Sequence, residues 1–241
     1  MRLDAWLTEH GLFSSRTRAR QAIEAGAVRV NGAEATKPSQ LITTDDRVEA
    51  DTNMFRYVSR GGYKLEKAIR EFQLDFRHKV VLDVGASTGG FTDCALQHGA
   101  RKVYAVDVGA GQLHDSLTTH PGVVSLDNTD IRDVTPDMLG EQADWIAVDA
   151  SFISLRHILP VLPALLAPDG GVIALVKPQF EQTERKRFSG GVIRDVRVRQ
   201  QTLEQVERYA ALAGFRVQAM TPTDAEEGKN QEFLLWLIRV P

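Results

Sequence analysis

The chain has 241 residues, 43% hydrophobic and 25% charged, the composition of an ordinary globular protein with one large domain or a medium and a small one. A net charge of −3 gives no overall pull toward nucleic acid, and a single cysteine, Cys94, excludes an internal disulfide and argues against a cysteine-based metal site. The six histidines show no ligand spacing, no apolar run approaches the roughly 20 residues that span a bilayer, and the first ten residues are amphipathic and charged, unlike a secretion signal. The expectation is a cytoplasmic protein with no metal and no membrane partner.

In chain order, Leu3, Trp6 and Leu7 repeat at helical spacing, and Gly11 ends that helix. Ser14 or Ser15 can cap a second helix over 16–25, which stops at Gly26. The run SSRTRAR places Arg16, Arg18 and Arg20 on that helix with no acid among them, and a basic patch on a mildly acidic protein can still dock on phosphates. Val28-Arg29-Val30 leads into Asn31-Gly32, a hairpin signal. A loop at Lys37-Pro38-Ser39 and a short strand around Val48 follow, and then a polar connecting segment. The predicted division is a small α+β domain over 1–50, a linker over 51–59 and a larger domain over 60–241.

The larger region alternates strands (80–84, 103–107, 123–126, 145–149, 172–177) with helices (63–72, 91–98, 155–166, 197–213), which implies a parallel, doubly wound sheet. Two final strands, 215–220 and 233–240, flank a polar loop and predict a closing antiparallel pair. The expected fold is therefore α/β, Rossmann-like, with seven mostly parallel strands.

The run VVLDVGASTGGF is a buried strand, a turn of small residues and a helix start. In such sheets ligands bind at the carboxyl ends of strands, and glycines let a ligand approach the backbone. The spacing is not the G-x-G-x-x-G of dinucleotide sites, because Ser87 stands at the second glycine position, and the turn carries no phosphate-binding lysine. Asp83 would repel a pyrophosphate but suits an ammonium, and Asp107 falls close to the offset at which an acid grips ribose hydroxyls. An ammonium and a ribose together point to S-adenosylmethionine. Its candidate contacts are Asp83, Gly85, Ser87, Gly89, Gly90 and Phe91 around the turn, Asp107 for the ribose and Asp130 for the adenine amino group.

Four ionisable residues have no evident structural duty. Asp149 closes the fourth strand, Lys177 the fifth, Glu232 opens the last, and Lys64 starts the helix before the first. If the last strand runs antiparallel, all four meet on one rim beside the cofactor. Methyl transfer from a sulfonium is facile once the acceptor is nucleophilic, and a ribose hydroxyl needs a base or a favourable field, which two lysines and two carboxylates can supply. Lys177 is the expected proton acceptor.

With these residues assembled, 2–49 resembles the S-four-type RNA-binding domain, through RLDAWL, SRTRARQAIEAGAVRVNG and KPS. Residues 57–241 resemble the FtsJ-like ribose methyltransferases, whose K-D-K-E tetrad falls on Lys64, Asp149, Lys177 and Glu232. SRGGYKL, DVGASTGGF, DVGAGQL, SFISL, LVKPQFE and EFLLWL together resemble the TlyA family. The resemblance implies 2′-O-methylation of cytidine in ribosomal RNA or a ribosomal subunit. Because little precedes the first helix or follows the last strand, the chain resembles the shorter members, which act on 23S RNA alone. The candidate RNA-contacting residues are Arg2, Arg16, Arg18, Arg20, Lys37 and Arg60. The chain departs from the family at Tyr57, where tryptophan is frequent, and at Asp130, where asparagine is common. Members also carry the name hemolysin, but no secretion signal, spanning segment or basic amphipathic helix with an aromatic face supports a membrane-active protein here, and the intact tetrad and glycine turn weigh against the other alternative, an RNA-binding protein with an inactive methyltransferase domain.

Overall fold

The computed structural model describes residues 1–52, 56–182, 192–224 and 228–240. The chain forms two compact units, Met1–Arg56 and Tyr57–Pro241. Of the expected linker, residues 53–55 lie outside the described residues, and Tyr57 is buried within the second unit.

The first unit holds helices α1 (Leu3–Glu9) and α2 (Arg16–Glu24) and strands β1 (Val28–Val30), β2 (Ala33–Glu34) and β3 (Val48–Ala50), paired antiparallel in the order β2-β1-β3. The helical spacing buries Leu3, Leu7, Ala19, Ala22 and Ile23 against Val28 and Val30 of the strand. Ser15 caps α2 by accepting the Arg18 N–H at 3.3 Å, a contact of a kind worth about 1 kcal/mol. The expected hairpin is present: Val30 pairs with Ala33, and Asn31 and Gly32 both take positive φ (54° and 81°), as a tight primed turn requires. The Asn31 side chain then donates to Asp46 and accepts the Arg47 N–H, tying the turn to the approach to β3.

The second unit is a seven-stranded sheet between two helical layers. Strands β4 (Val80–Val84), β5 (Lys102–Val106), β6 (Val123–Leu126), β7 (Ala143–Val148) and β8 (Leu166–Val176) are parallel, and β10 (Phe233–Arg239) runs antiparallel to both β8 and β9 (Phe215–Pro222). The order is β6-β5-β4-β7-β8-β10-β9, as expected of a parallel sheet closed by an antiparallel pair. All five residues of β4 are buried because both faces of the sheet are covered. One face packs on α3 (Gly61–Phe72) and α4 (Gly90–Gln97) through Val81, Val103 and Ile173, and the other on α9 (Val196–Leu212) through Val80, Leu82 and Val172. The short helices α5 (Asp115–Thr118), α6 (Pro136–Leu139), α7 (Leu162–Leu165) and α8 (Pro178–Glu181) fall within the connections.

One expected element is corrected. The apolar stretch over 155–166 is not one helix: it makes 3-10 turns at Leu155–His157 and Leu159–Val161, then α7, and Leu166 already begins β8. Pro160 and Pro163 each stand in the first turn of a new short element, where the missing N–H costs nothing, and neither allows an uninterrupted helix through it.

Candidate active site

From β4 the sheet grows one way through β5 and β6 and the other way through β7, so a crevice opens beyond the carboxyl ends of β4 and β7. Two clefts lie there and share Gly85, Ser87, Asp149 and Ser151 as a common border. The smaller, about 370 Å³, is lined by Asp107, Val108, Gln112, Asp130 and Ile131, and the larger, about 960 Å³, by Arg60, Lys64, Phe91, Lys177 and Glu232.

The turn after β4 needs its glycines for packing. At Gly85 φ is +84°, and a Cβ there would stand 2.9 Å from the Asp149 carbonyl oxygen, so the ends of β4 and β7 nest only without a side chain. A Cβ on Gly90 would lie 2.2 Å from Ser59 Oγ and 2.9 Å from Gly62 N, at the crossing of α3 and α4. Gly89 caps α4 at φ +92°, Ser87 also sits at positive φ (48°), and Phe91 is buried in the core on that side.

The three acids expected at a cofactor have different surroundings. Asp83 is fully buried and lines neither cleft; its Oδ2 accepts the Thr92 hydroxyl at 2.6 Å, and its Oδ1 has no partner in the protein. Burial pushes its carboxyl up to about 7; the Thr92 hydrogen bond opposes this, while Asp149 and Asp107 add to it. Asp107 lies one residue past β5, and its two oxygens accept the Ser87 N–H (2.8 Å) and the Gly109 N–H (2.7 Å), each keeping a second lone pair. Asp130 has a clear local duty. It caps the turn Ile131–Asp133 and binds the Arg132 guanidinium at 2.6 and 2.9 Å, which holds its carboxyl down at about 2.

The four residues expected on one rim come together as two ion pairs. Lys64, in the first turns of α3, meets Glu232 at 2.5 Å. Lys177, one residue past β8, meets Asp149, one residue past β7, at 2.6 Å, and also donates to Ser151 Oγ at 2.9 Å. The antiparallel register decides the fourth position: Phe233 pairs with Val176, which sets Glu232 level with Lys177. The Lys177 side chain is 9% exposed, against 25% for Lys64.

Sequence reasoning missed Ser151, whose signal was a hydroxyl two residues beyond a strand-ending acid. It also missed Phe152, which is 90% exposed at φ +65° and lies 5.1 Å from the Phe180 ring. In the first unit it missed Asp4, a buried acid that accepts from both Arg2 (3.0 Å) and Arg16 (3.1 Å), contacts that draw its carboxyl down to about 2. The three arginines of α2 do not share a face. Arg16 and Arg20 stand one turn apart and exposed, whereas Arg18, two residues from each, is half-buried on the far side. Lys37 is exposed in its loop, and Arg60 precedes α3 in the second unit. Among the described residues, no group of His, Cys, Asp and Glu could hold a metal ion, and no helix is long and apolar enough to cross a membrane.

The chain is similar to known proteins over nearly its whole length. Residues 57–239 match the FtsJ-like methyltransferase family and residues 1–48 the S4 domain. The chain is 44% identical to "Putative rRNA methyltransferase YqxC" of Bacillus subtilis, over 98% of this chain and 85% of that protein. It is 39% identical to "16S/23S rRNA (cytidine-2'-O)-methyltransferase TlyA" of Mycobacterium tuberculosis, over 98% and 89% of the two chains. A solved structure titled "Putative hemolysin from Streptococcus thermophilus" superposes with a TM-score of 0.77 at 39% identity, covering 100% of this chain and 88% of that one. The FtsJ-like methyltransferase and S4 matches and the relatives at 39–44% identity cover nearly all of this chain, and the chain belongs to the TlyA family of FtsJ-like methyltransferases.

Proposed function

We propose that this protein transfers a methyl group from S-adenosylmethionine to the 2′-hydroxyl of a cytidine in ribosomal RNA. The observation that carries the reading is the pair of lysine–carboxylate contacts, Lys64–Glu232 and Lys177–Asp149, lining the cleft that borders the glycine turn. The mycobacterial relative's name specifies the cytidine 2′-oxygen, and its substrates include 23S RNA, the RNA that we propose for this chain.

The residues at the smaller cleft fit the cofactor. Val108, Ile131, Ile153 and Ile158 offer apolar walls for a flat ring, and Asp107 stands at the edge with acceptor capacity left for ribose hydroxyls. Behind the turn, Asp83 lines neither cleft and burial raises its carboxyl to about 7, and an ammonium held at the turn would favour its charged form. When bound, S-adenosylmethionine supplies an electrophilic methyl group. Ser87, Gly89, Gly90 and Phe91 of the turn would hold its methionine end, and Asp130, already engaged by Arg132, would meet its adenine amino group.

In the larger cleft the Lys177 amine takes the proton from the 2′-hydroxyl as the oxygen attacks, and Asp149 and Ser151 fix where that amine sits. Lys64, anchored by Glu232, stabilises negative charge developing on the oxygen. The 2.6 Å contact with Asp149 favours a second reading, in which a charged Lys177 steers the hydroxyl lone pair and leaves the proton to solvent. The first unit contributes RNA affinity through Arg2, Arg16, Arg18, Arg20 and Lys37, with Arg60 beside the larger cleft. The test is radiolabelled methyl transfer to unmodified ribosomal RNA, followed by mapping of 2′-O-methyl sites with and without the gene. Label on a cytidine ribose of 23S RNA is expected. Absence of transfer, or label on a base, overturns the reading.

A further inference from the structure

Glu181 is a buried acid with no part in the chemistry above. It is 3% exposed and lies four residues beyond Lys177, at the end of α8. Burial raises its carboxyl above the usual range, against two hydrogen bonds that favour the charged form. Those bonds come from the loop that follows β7: Ser154 Oγ donates to Oε2 at 2.5 Å, and the Leu155 N–H donates to Oε1 at 2.9 Å. The same loop begins at Asp149 and Ser151, which hold the Lys177 amine at 2.6 and 2.9 Å. Loop and strand end are therefore stitched at two places. Lys177 reaches across to the start of the loop, and Glu181 reaches across to its end. The aromatic contact between Phe152 and Phe180 bridges the same two segments between those stitches.

We propose that Glu181 is a positioning residue: it fixes the 151–155 loop against the end of β8, so that Ser151 keeps the Lys177 amine in place. Neither bond reaches the reacting atoms. Glu181 acts through Ser151, whose backbone cannot drift while Ser154 and Leu155 are pinned three and four residues later. A buried carboxylate suits this duty because it accepts two hydrogen bonds at once, and bonds to a charged acceptor are stronger than neutral ones. Glutamine at the same place still offers an oxygen to the Leu155 N–H and an amide that can donate to the Ser154 oxygen. Alanine offers neither.

The role in catalysis rests on the methyltransferase reading, but the clamp itself can be tested without it. In the cofactor-free full-length protein, the rate at which an amine-reactive acetylating reagent labels Lys177 is compared with the rate at Lys64 by mass spectrometry. We expect Glu181→Ala to raise Lys177 labelling several-fold with Lys64 unchanged, and Glu181→Gln to leave both near the wild-type rate. Equal acceleration at both lysines, or none at Lys177, overturns the clamp. Ser151→Ala, which removes the hydroxyl contact directly, should also raise Lys177 labelling, and adding Glu181→Ala to it should produce little further change; full additivity overturns the route through Ser151. In single-turnover methylation by protein whose wild type is active, Glu181→Ala should slow the step about tenfold with KM for RNA within about twofold, and Glu181→Gln should restore it. A loss confined to KM overturns the catalytic consequence, while a wild type that methylates nothing overturns the function and leaves the labelling result standing.

Discussion

Both units fasten a cation with an acid, and they do so with opposite exposure. In the first, the buried Asp4 holds Arg2 and Arg16, whose side chains are 46% and 58% exposed. In the second, Asp149 holds Lys177 with its side chain 9% exposed. An acid under an exposed guanidinium aims charge at a partner in solvent, where it acts through the field and through counterion release. An acid beside a buried amine fixes one nitrogen in a place that water enters poorly, where position and proton affinity matter more than charge. The choice of residue follows: arginine offers a fork of donors to phosphate, and lysine offers a single nitrogen that can gain and lose a proton.

The largest expected effect tests the inward side. Lys177→Arg keeps the charge but cannot act as a base at ordinary pH, so single-turnover methylation should fall about 10²-fold while RNA and cofactor bind nearly normally. A near-normal rate would leave Lys177 the purely electrostatic duty that the comparison reserves for the outward cations. Next in size is Asp107→Ala. Its carboxylate already accepts two backbone N–H groups, so it serves the turn as well as a ligand. If it also binds ribose hydroxyls, each bond is worth about 1.5–3 kcal/mol, and calorimetry with S-adenosylmethionine should show at least a tenfold loss of affinity. Unchanged affinity with a lower melting temperature would make Asp107 structural.

Replacing Arg16, Arg18 and Arg20 together by alanine tests the outward side. RNA affinity should drop several-fold and the slope of log affinity against log salt should flatten, with the single-turnover rate on saturating RNA unchanged. Arg18 lies on the opposite side of α2, so restoring it alone should recover less than restoring Arg16 and Arg20. The smallest effect concerns Asp4. Its carboxyl is held at about 2 by the hydrogen bond from Arg2 first, so it binds fewer protons folded than unfolded. The stability it contributes is complete above the ordinary carboxyl range and is lost as pH falls from about 4 toward 2. Asp4→Asn should flatten that part of the thermal stability curve and weaken RNA binding slightly by freeing Arg16. An unchanged acid limb would show that the tether adds no stability.

Much of this was legible in the sequence because it depended on local rules. Alternating strand and helix patterns gave the sheet, Asn31-Gly32 gave the hairpin with both residues at positive φ, and Ser15 gave the cap of α2. The meeting of the four rim residues was legible because strand ends are points of known direction, and Phe233 pairs with Val176 in the antiparallel sense that brings Glu232 to the same rim. The helix expected over 155–166 failed because periodicity registers apolar residues and is blind to what Pro160 and Pro163 remove.

What the sequence by itself determined was the order of elements and the kinds of residue at their ends, since backbone sterics and apolar spacing act over a few residues at a time. Only the tertiary structure decided which lysine pairs with which carboxylate, that Asp83 is buried while Asp130 is taken by Arg132, and that Asp4 and Glu181 are buried anchors. Each of these turns on ångström-scale distances between side chains brought together by packing. No spacing along the chain encodes them, because an acid at the end of an element looks the same in sequence whether it caps a turn, grips a cation or waits for a ligand.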